Sequence, residues 1–198
     1  MNSKSPKSEL ILASTSPYRK ILLQRLGLQF TCLAPHMDET ALPSESAAEL
    51  TRRLARGKAN SIARQYPSAL VIGCDQVADF AGTILGKPTS PEAAVNQLMQ
   101  FSGKTVQFLS ALCVLRLEPP YLGEVTVPTL VHFRDYSLEE ATRYIELDMP
   151  LDCAGSFKSE AGGSVLLHAL ESHDPTALIG LPLIALSHSL RAAGVSVP

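Results

Sequence analysis

The sequence predicts an α/β fold on a mixed sheet, and three observations carry that expectation. Short apolar runs alternate with amphipathic segments along the chain. Hydroxyl residues, prolines and glycines stand where helices should start and stop. Two long β-rich runs follow each other directly in the second half, which a purely parallel sheet does not accommodate. With 198 residues, 45% of them hydrophobic, the chain is long enough for a single domain over 1–198, one core with two lobes.

The elements follow in order. Leu10–Ala13 is a short buried strand. Ser16 can cap the next helix, and Pro17 suits its first turn. Ile21, Leu22, Leu23 and Leu26 give that helix an apolar face, and Gly27 stops it. Gln29–Ala34 reads as a second strand, followed by a polar loop with Asp38 and Glu39. Ser46 and Glu49 form a capping box for a helix running to about Gln65. Leu70–Cys74 is a buried strand expected to stop at Asp75. A hairpin turns at Ala81-Gly82, and a helix starts near Thr89 and Pro91 and ends about Phe101, before Gly103. Lys104–Leu117 and Glu124–Asp135 form two long strands joined by 118–123. Ser137 and Glu140 cap another helix. Ser164–Glu171 is a strand, and Leu183–Ala192 a final helix. No repeat, low-complexity tract or linker interrupts this order, and ligands are expected at strand ends.

A net charge of -2 argues against binding to nucleic acid or to an anionic membrane surface. No stretch approaches a membrane span, and the longest early apolar run has four residues, so neither an anchor nor a signal peptide is expected. The four cysteines (Cys32, Cys74, Cys113, Cys153) contain no C-x-x-C pair. They read as buried free thiols of a cytoplasmic protein rather than disulfides or a zinc site.

Four places carry candidate chemistry. The first is Ser14 to Lys20, where hydroxyls, a helix start, Arg19 and Lys20 form either an anion site or a capped surface helix with solvated cations. Tyr18 is the odd aromatic within it. The second is Asp75, at a strand end: a metal ligand or general base, or else a turn aspartate. Asp38-Glu39 could join it around a hard divalent cation, or lie solvated in a loop. The third is Lys58, on the same helical face as Leu50, Leu54 and Ile62; it either snorkels outward or meets a buried anion such as phosphate. Arg52, Arg53, Arg56 and Arg64 lie on the opposite face, and Lys87 stands in the stiff turn Gly86-Lys87-Pro88. The fourth is the glycine-rich segment 156–163, a surface loop or a wall over a ligand. The five histidines show no metal-ligand spacing and read as structural.

Together these pieces resemble the Maf family of nucleotide pyrophosphatases. The resemblance spans nearly the whole chain: the S-x-S-P-x-R loop at Ser14 to Arg19, Asp38-Glu39, L-A-x-x-K-A at Leu54 to Ala59, Gly73-x-Asp75, Gly86-Lys87-Pro88, Ser102-Gly103-Lys104, Ala154-Gly155 and Gly180-Leu181-Pro182. It implies an elongated, twisted sheet with two lobes around a nucleotide-binding cleft, as in the inosine-triphosphatase-like fold. Tyr18, Gln76 and Glu160 match the branch that acts on 7-methyl-GTP. Methylation at N7 makes guanine cationic, which favours stacking on an aromatic face. A carboxylate such as Glu160 can accept both donors of guanine's Watson–Crick edge, and Gln76 offers a donor and an acceptor for the remainder. Lys20 replaces an arginine more common in the family, which keeps the charge without the bidentate grip.

The resemblance further implies hydrolysis of the α–β phosphoanhydride. Asp75 would be the general base, and Glu39 would join it on a divalent cation (Mg²⁺ or Mn²⁺). Arg19, Lys58 and Lys87 would neutralise phosphate, with Ser14 and Ser16 holding the tail. A dTTP, UTP or other modified-nucleotide pyrophosphatase, and a nucleotide-sensing septum inhibitor with little turnover, are the competing expectations. The sequence leaves a homodimer open.

Overall fold

The computed structural model describes residues 9–198; the first eight, on which part of the N-terminal reading rests, lie outside the described residues. The elements are β1 (Leu10–Ala13), α1 (Pro17–Gln24), β2 (Thr31–Leu33), α2 (Ala47–Ala63), β3 (Leu70–Phe80), β4 (Thr83–Leu85), α3 (Pro91–Phe101), β5 (Thr105–Arg116), β6 (Tyr121–Phe133), α4 (Leu138–Asp148), β7 (Leu167–Ser172) and α5 (Leu183–Ala192). Side chains cap the helices where the sequence places caps. Ser46 with Glu49 and Ser137 with Glu140 each form a reciprocal capping box, while Ser16 accepts from Arg19 N and Ser90 from Ala93 N.

The sheet is mixed, in the order β2-β1-β3-β5-β6-β7 with β4 on β3. β1 pairs in parallel with β2 and β3, and every other pairing is antiparallel. β5 covers one edge of β3 from Val71 to Asp79. The other edge is shared: β1 takes residues 70–72, and β4 takes 78–80. Residues 73–77 lie between them as a notch in the sheet.

That notch corrects the expectation for Asp75. The strand does not stop there; it runs on to Phe80, because β5 keeps pairing after β1 has ended. The apolar run alone could not show this, since only β1 falls away at that point.

Alternation along β3 sends successive side chains to opposite faces. Val71, with Ile11, Ala111 and Cys113, packs under α2, where Ala55, Ala59 and Ile62 are buried. On the other face the helices divide into two groups. Leu22, Leu23, Leu186 and Leu190 of α1 and α5 pack around Leu12, Ile72 and Cys74. Leu98, Phe101, Tyr144 and Ile145 of α3 and α4 pack around Ala78, Phe108, Phe133 and Phe157. Each fully buried Leu or Phe stabilises the fold by about 2 kcal/mol. These two clusters, at opposite ends of the long strands, are the two lobes.

Three further readings need adjustment. The 118–123 link is shorter than expected, because Tyr121–Gly123 already pair with β5. The start of the last strand, at 164–166, is a 3-10 turn. Cys32 is exposed on the edge strand β2 and Cys153 is half-buried, so of the four free thiols only Cys74 and Cys113 are buried.

Candidate functional site

A cavity of about 530 Å³ opens at the notch. Ser14, Ser16, Tyr18 and Arg19 reach it from the β1–α1 loop and first turn. Asp75 and Gln76 come from β3, Lys58 from α2, Glu39 and Lys87 from loops, and Glu160 from the segment after α4. These candidate residues therefore border one space, while Asp38, beside Glu39, is not among its lining residues. Lys20 is exposed and does not line it.

The loop after β1 is built by local bonds. Ser14 Oγ accepts from Ser16 N at 3.1 Å, and Ser16 Oγ accepts from Arg19 N at 3.4 Å. Arg19 donates Nε to the carbonyl of Gly180 at 3.0 Å, leaving both terminal nitrogens of its fork for other acceptors. Gly180 has φ +123, a conformation suited to glycine.

Lys58 settles between two carboxylates. Its Nζ lies 2.7 Å from Asp75 Oδ1 and 2.8 Å from Glu39 Oε2. The side chains of Lys58 and Asp75 are buried, whereas Glu39 is half exposed. Of the two sequence readings, the buried anion holds, and within the protein that anion is a carboxylate pair. Burial pushes the Asp75 carboxyl above its ordinary value, against the pull of Lys58 and Arg19. A carboxylate so held is a stronger base than an exposed one.

Helix α2 approaches closely because residue 73 is glycine. A Cβ there would collide with Ala55 O and sit 2.7 Å from Ala59 N. Close packing at Gly73 sets Lys58, one turn along, against Asp75, two residues along the strand. On the solvent side of α2, Arg53 forms a two-pronged pair with Glu45 at 2.7 and 2.8 Å. That face is bonded rather than simply solvated.

The other half of the cavity holds Tyr18 and Glu160, with Asp152 and Cys153. Lys158 Nζ stands 5.6 Å from the Tyr18 ring centroid, 3.5 Å from Asp152 Oδ1 and 3.1 Å from Asp148 O. Burial opposes ionisation of Asp152, but hydrogen bonding with Tyr18 and the Lys158 charge outweigh it and hold the carboxyl below its usual value. Burial, with Asp152 beside it, pushes the Cys153 thiol up to about 12, so it is unreactive at neutral pH. Of segment 156–163, Phe157 and Glu160 line the cavity.

Gln76 departs from its expectation. Its Nε2 is bonded back into the protein, to Ser110 Oγ and the carbonyls of Ala177 and Leu178, so it offers the cavity an acceptor and not a donor as well. Asp152, Lys158, Ser110 and the Ala177 and Leu178 carbonyls are the neighbours that sequence reading missed. Only Gly180-Leu181-Pro182 signalled that this stretch mattered.

Among the described residues no group of three or more His, Cys, Asp or Glu side chains could by itself hold a metal, and no helix is long and apolar enough to cross a membrane. Comparison with known proteins gives a consistent picture. A family model described as Maf-like protein matches residues 9–193. A protein of Aromatoleum aromaticum named 7-methyl-GTP pyrophosphatase is 50% identical over 191 residues, covering 96% of this chain and 98% of its own. Proteins of the same name from Pseudomonas aeruginosa and Alcanivorax borkumensis are 49% and 46% identical, again over 96% of this chain and over 99% and 96% of theirs.

Proposed function

The chain belongs to the Maf family, and on that premise we propose that it hydrolyses 7-methyl-GTP to 7-methyl-GMP and pyrophosphate. One observation supports this most: a buried carboxylate–lysine pair, Asp75 with Lys58, shares a cavity with an aromatic face, Tyr18. The first suits phosphoanhydride hydrolysis, the second a flat and cationic base.

In this reading the triphosphate lies along the β1–α1 loop. Arg19, Lys58 and Lys87 balance its charge, and their interaction strengthens as charge builds on the leaving pyrophosphate. Asp75 takes a proton from the attacking water, whose oxygen bonds to the α-phosphorus as the bridging α–β P–O bond breaks. Ser14 and Ser16 hold the tail. Tyr18 stacks on the base, and Asp152 and Glu160 give that end a negative bias that a neutral base does not exploit.

The donor set fits a hard divalent cation. Glu39 and Asp75 supply carboxylate oxygens, Asp75 Oδ2 has no protein partner among the described residues, and substrate phosphates complete such sites. Mg²⁺ or Mn²⁺ held by these two residues would supply charge neutralisation and an acidified water. Lys58 would then shift its contacts toward phosphate. The likeness to named enzymes supports a free nucleotide as ligand, and the free thiols suit a cytoplasmic location.

Pyrophosphate release from 7-methyl-GTP, GTP, dTTP and UTP, with and without each metal, tests the proposal. Preference for 7-methyl-GTP supports it. Preference for dTTP or UTP, indifference to the methyl group, or tight binding without turnover defeats it.

A further inference from the structure

Hydrogen-bond arithmetic fixes the direction of the Gln76 amide. Nε2 lies 3.0 Å from Ser110 Oγ and 2.9 Å from the carbonyl oxygens of both Ala177 and Leu178. Those carbonyls can only accept. The Ser110 hydroxyl is buried and gives its one proton to Ala177 O at 2.7 Å, so toward Gln76 it too can only accept. A flipped amide would set its own oxygen against three acceptors. Oε1 is therefore the atom left for the cavity, and it takes no donor from the described residues.

The acceptors stand on a fixed loop. Asp174, itself buried, accepts from Ile184 N and Ala185 N at the start of α5 and from Thr176 N and Oγ1. It thereby ties both ends of the stretch carrying Ala177 and Leu178. The same loop presents Gly180 O to Arg19, so the base reader and a phosphate ligand share one support.

We propose that Ser110, with the Ala177 and Leu178 carbonyls, locks Gln76 as an acceptor-only reader of the base. Resting on the function proposed above, this makes the wall select a base edge rich in N–H groups. The N1–H and 2-amino groups of guanine are met by Gln76 Oε1 and the Glu160 carboxylate, while O6 receives nothing from Gln76. Ser110 acts through Gln76 and is a positioning residue.

Three nucleotides test the polarity: 7-methyl-GTP, 7-methyl-ITP (which lacks the 2-amino group), and the 6-thio analogue of 7-methyl-GTP, whose sulfur accepts poorly. We expect wild-type kcat/KM to fall about tenfold or more without the amino group, chiefly through KM, and to stay within about threefold for the thio analogue. Gln76→Met should cut the amino discrimination, leaving only the share that the Glu160 carboxylate supplies. Ser110→Ala should reduce it about threefold with kcat kept, and Ser110→Thr should restore it. A tenfold loss for the thio analogue that disappears in Gln76→Met overturns the proposal, as does unchanged discrimination in Ser110→Ala. A readout without nucleotide separates this from the proposed function: the Gln76 side-chain amide protons should exchange slowly by NMR, and faster in Ser110→Ala. Slow exchange in an enzyme that ignores 7-methyl-GTP would leave the lock standing and refute the substrate; equally fast exchange in both proteins would refute the lock.

Discussion

Lys58 Nζ lies 2.7 Å from Asp75 Oδ1, joining the middle of α2 to the unpaired notch of β3. Neither residue is explained without the other. A lysine on an apolar helical face and an aspartate inside a buried strand are each costly alone, and together they satisfy one another.

Asp75→Asn should fold and lose about 10²- to 10⁴-fold in kcat, the range for removing a general base. The pH profile gives a second check. Only the ionised carboxylate accepts a proton, and burial raises its pKa. The acid limb of wild-type kcat/KM should therefore fall at higher pH than an ordinary aspartate near 4 would give. Full hydrolysis by a folded Asp75→Asn protein would remove Asp75 from the mechanism.

Lys58→Met should lower stability by about 3–5 kcal/mol at neutral pH, because it strands a buried carboxylate. The loss should shrink on acidification. With its pKa raised in the folded state, Asp75 binds a proton more tightly there than in the unfolded chain, so stability is present at low pH and lost as pH rises through the folded pKa. Urea unfolding at pH 5 and pH 8 measures this. A pH-independent loss would mean that the damage is packing alone.

The elements were legible in the sequence wherever local chemistry decides them. Ser46 with Glu49 and Ser137 with Glu140 carry their caps within four residues, and the α5 limits were read directly. What escaped depends on partners far along the chain. Whether β3 continues past Asp75 is decided by β5, where Gln76 to Asp79 find their partners at Ser110 to Gln107. Whether Gln76 donates or accepts is decided by Ser110 and the 177–178 carbonyls. Lys58 on an apolar stripe left snorkelling and a buried anion both open, and only the fold shows that it meets Asp75 and Glu39. Exposure of Cys32 follows from β2 lying at the sheet edge, which a three-residue strand does not reveal.

Tyr18→Leu should reduce the preference for 7-methyl-GTP over GTP about 2- to 30-fold, the equivalent of a cation–π contact of about 0.5–2 kcal/mol. Turnover of GTP should change little by comparison, since a neutral guanine gains only ordinary stacking. Lys158 already sets its ammonium 5.6 Å from this ring, paired with Asp152 at 3.5 Å. A preference that survives in Tyr18→Leu would place methyl recognition elsewhere.

Gly73→Ala tests whether helix packing sets the chemistry. The added methyl would meet the Ala55 carbonyl and Ala59 N, both backbone groups of α2 that no side-chain rotation can move aside. The helix must lift from β3, and Lys58 moves with it. Overpacking of this kind costs about 1–3 kcal/mol. Because the displaced turn carries the Asp75 partner, kcat should drop together with the melting temperature, while KM, set mostly by Tyr18, Gln76 and Glu160, none of them on α2, should move least. Calorimetry beside steady-state kinetics on one preparation gives both numbers. A protein that loses stability yet keeps wild-type kcat would show that Lys58 and Asp75 hold their contact without the close approach at Gly73.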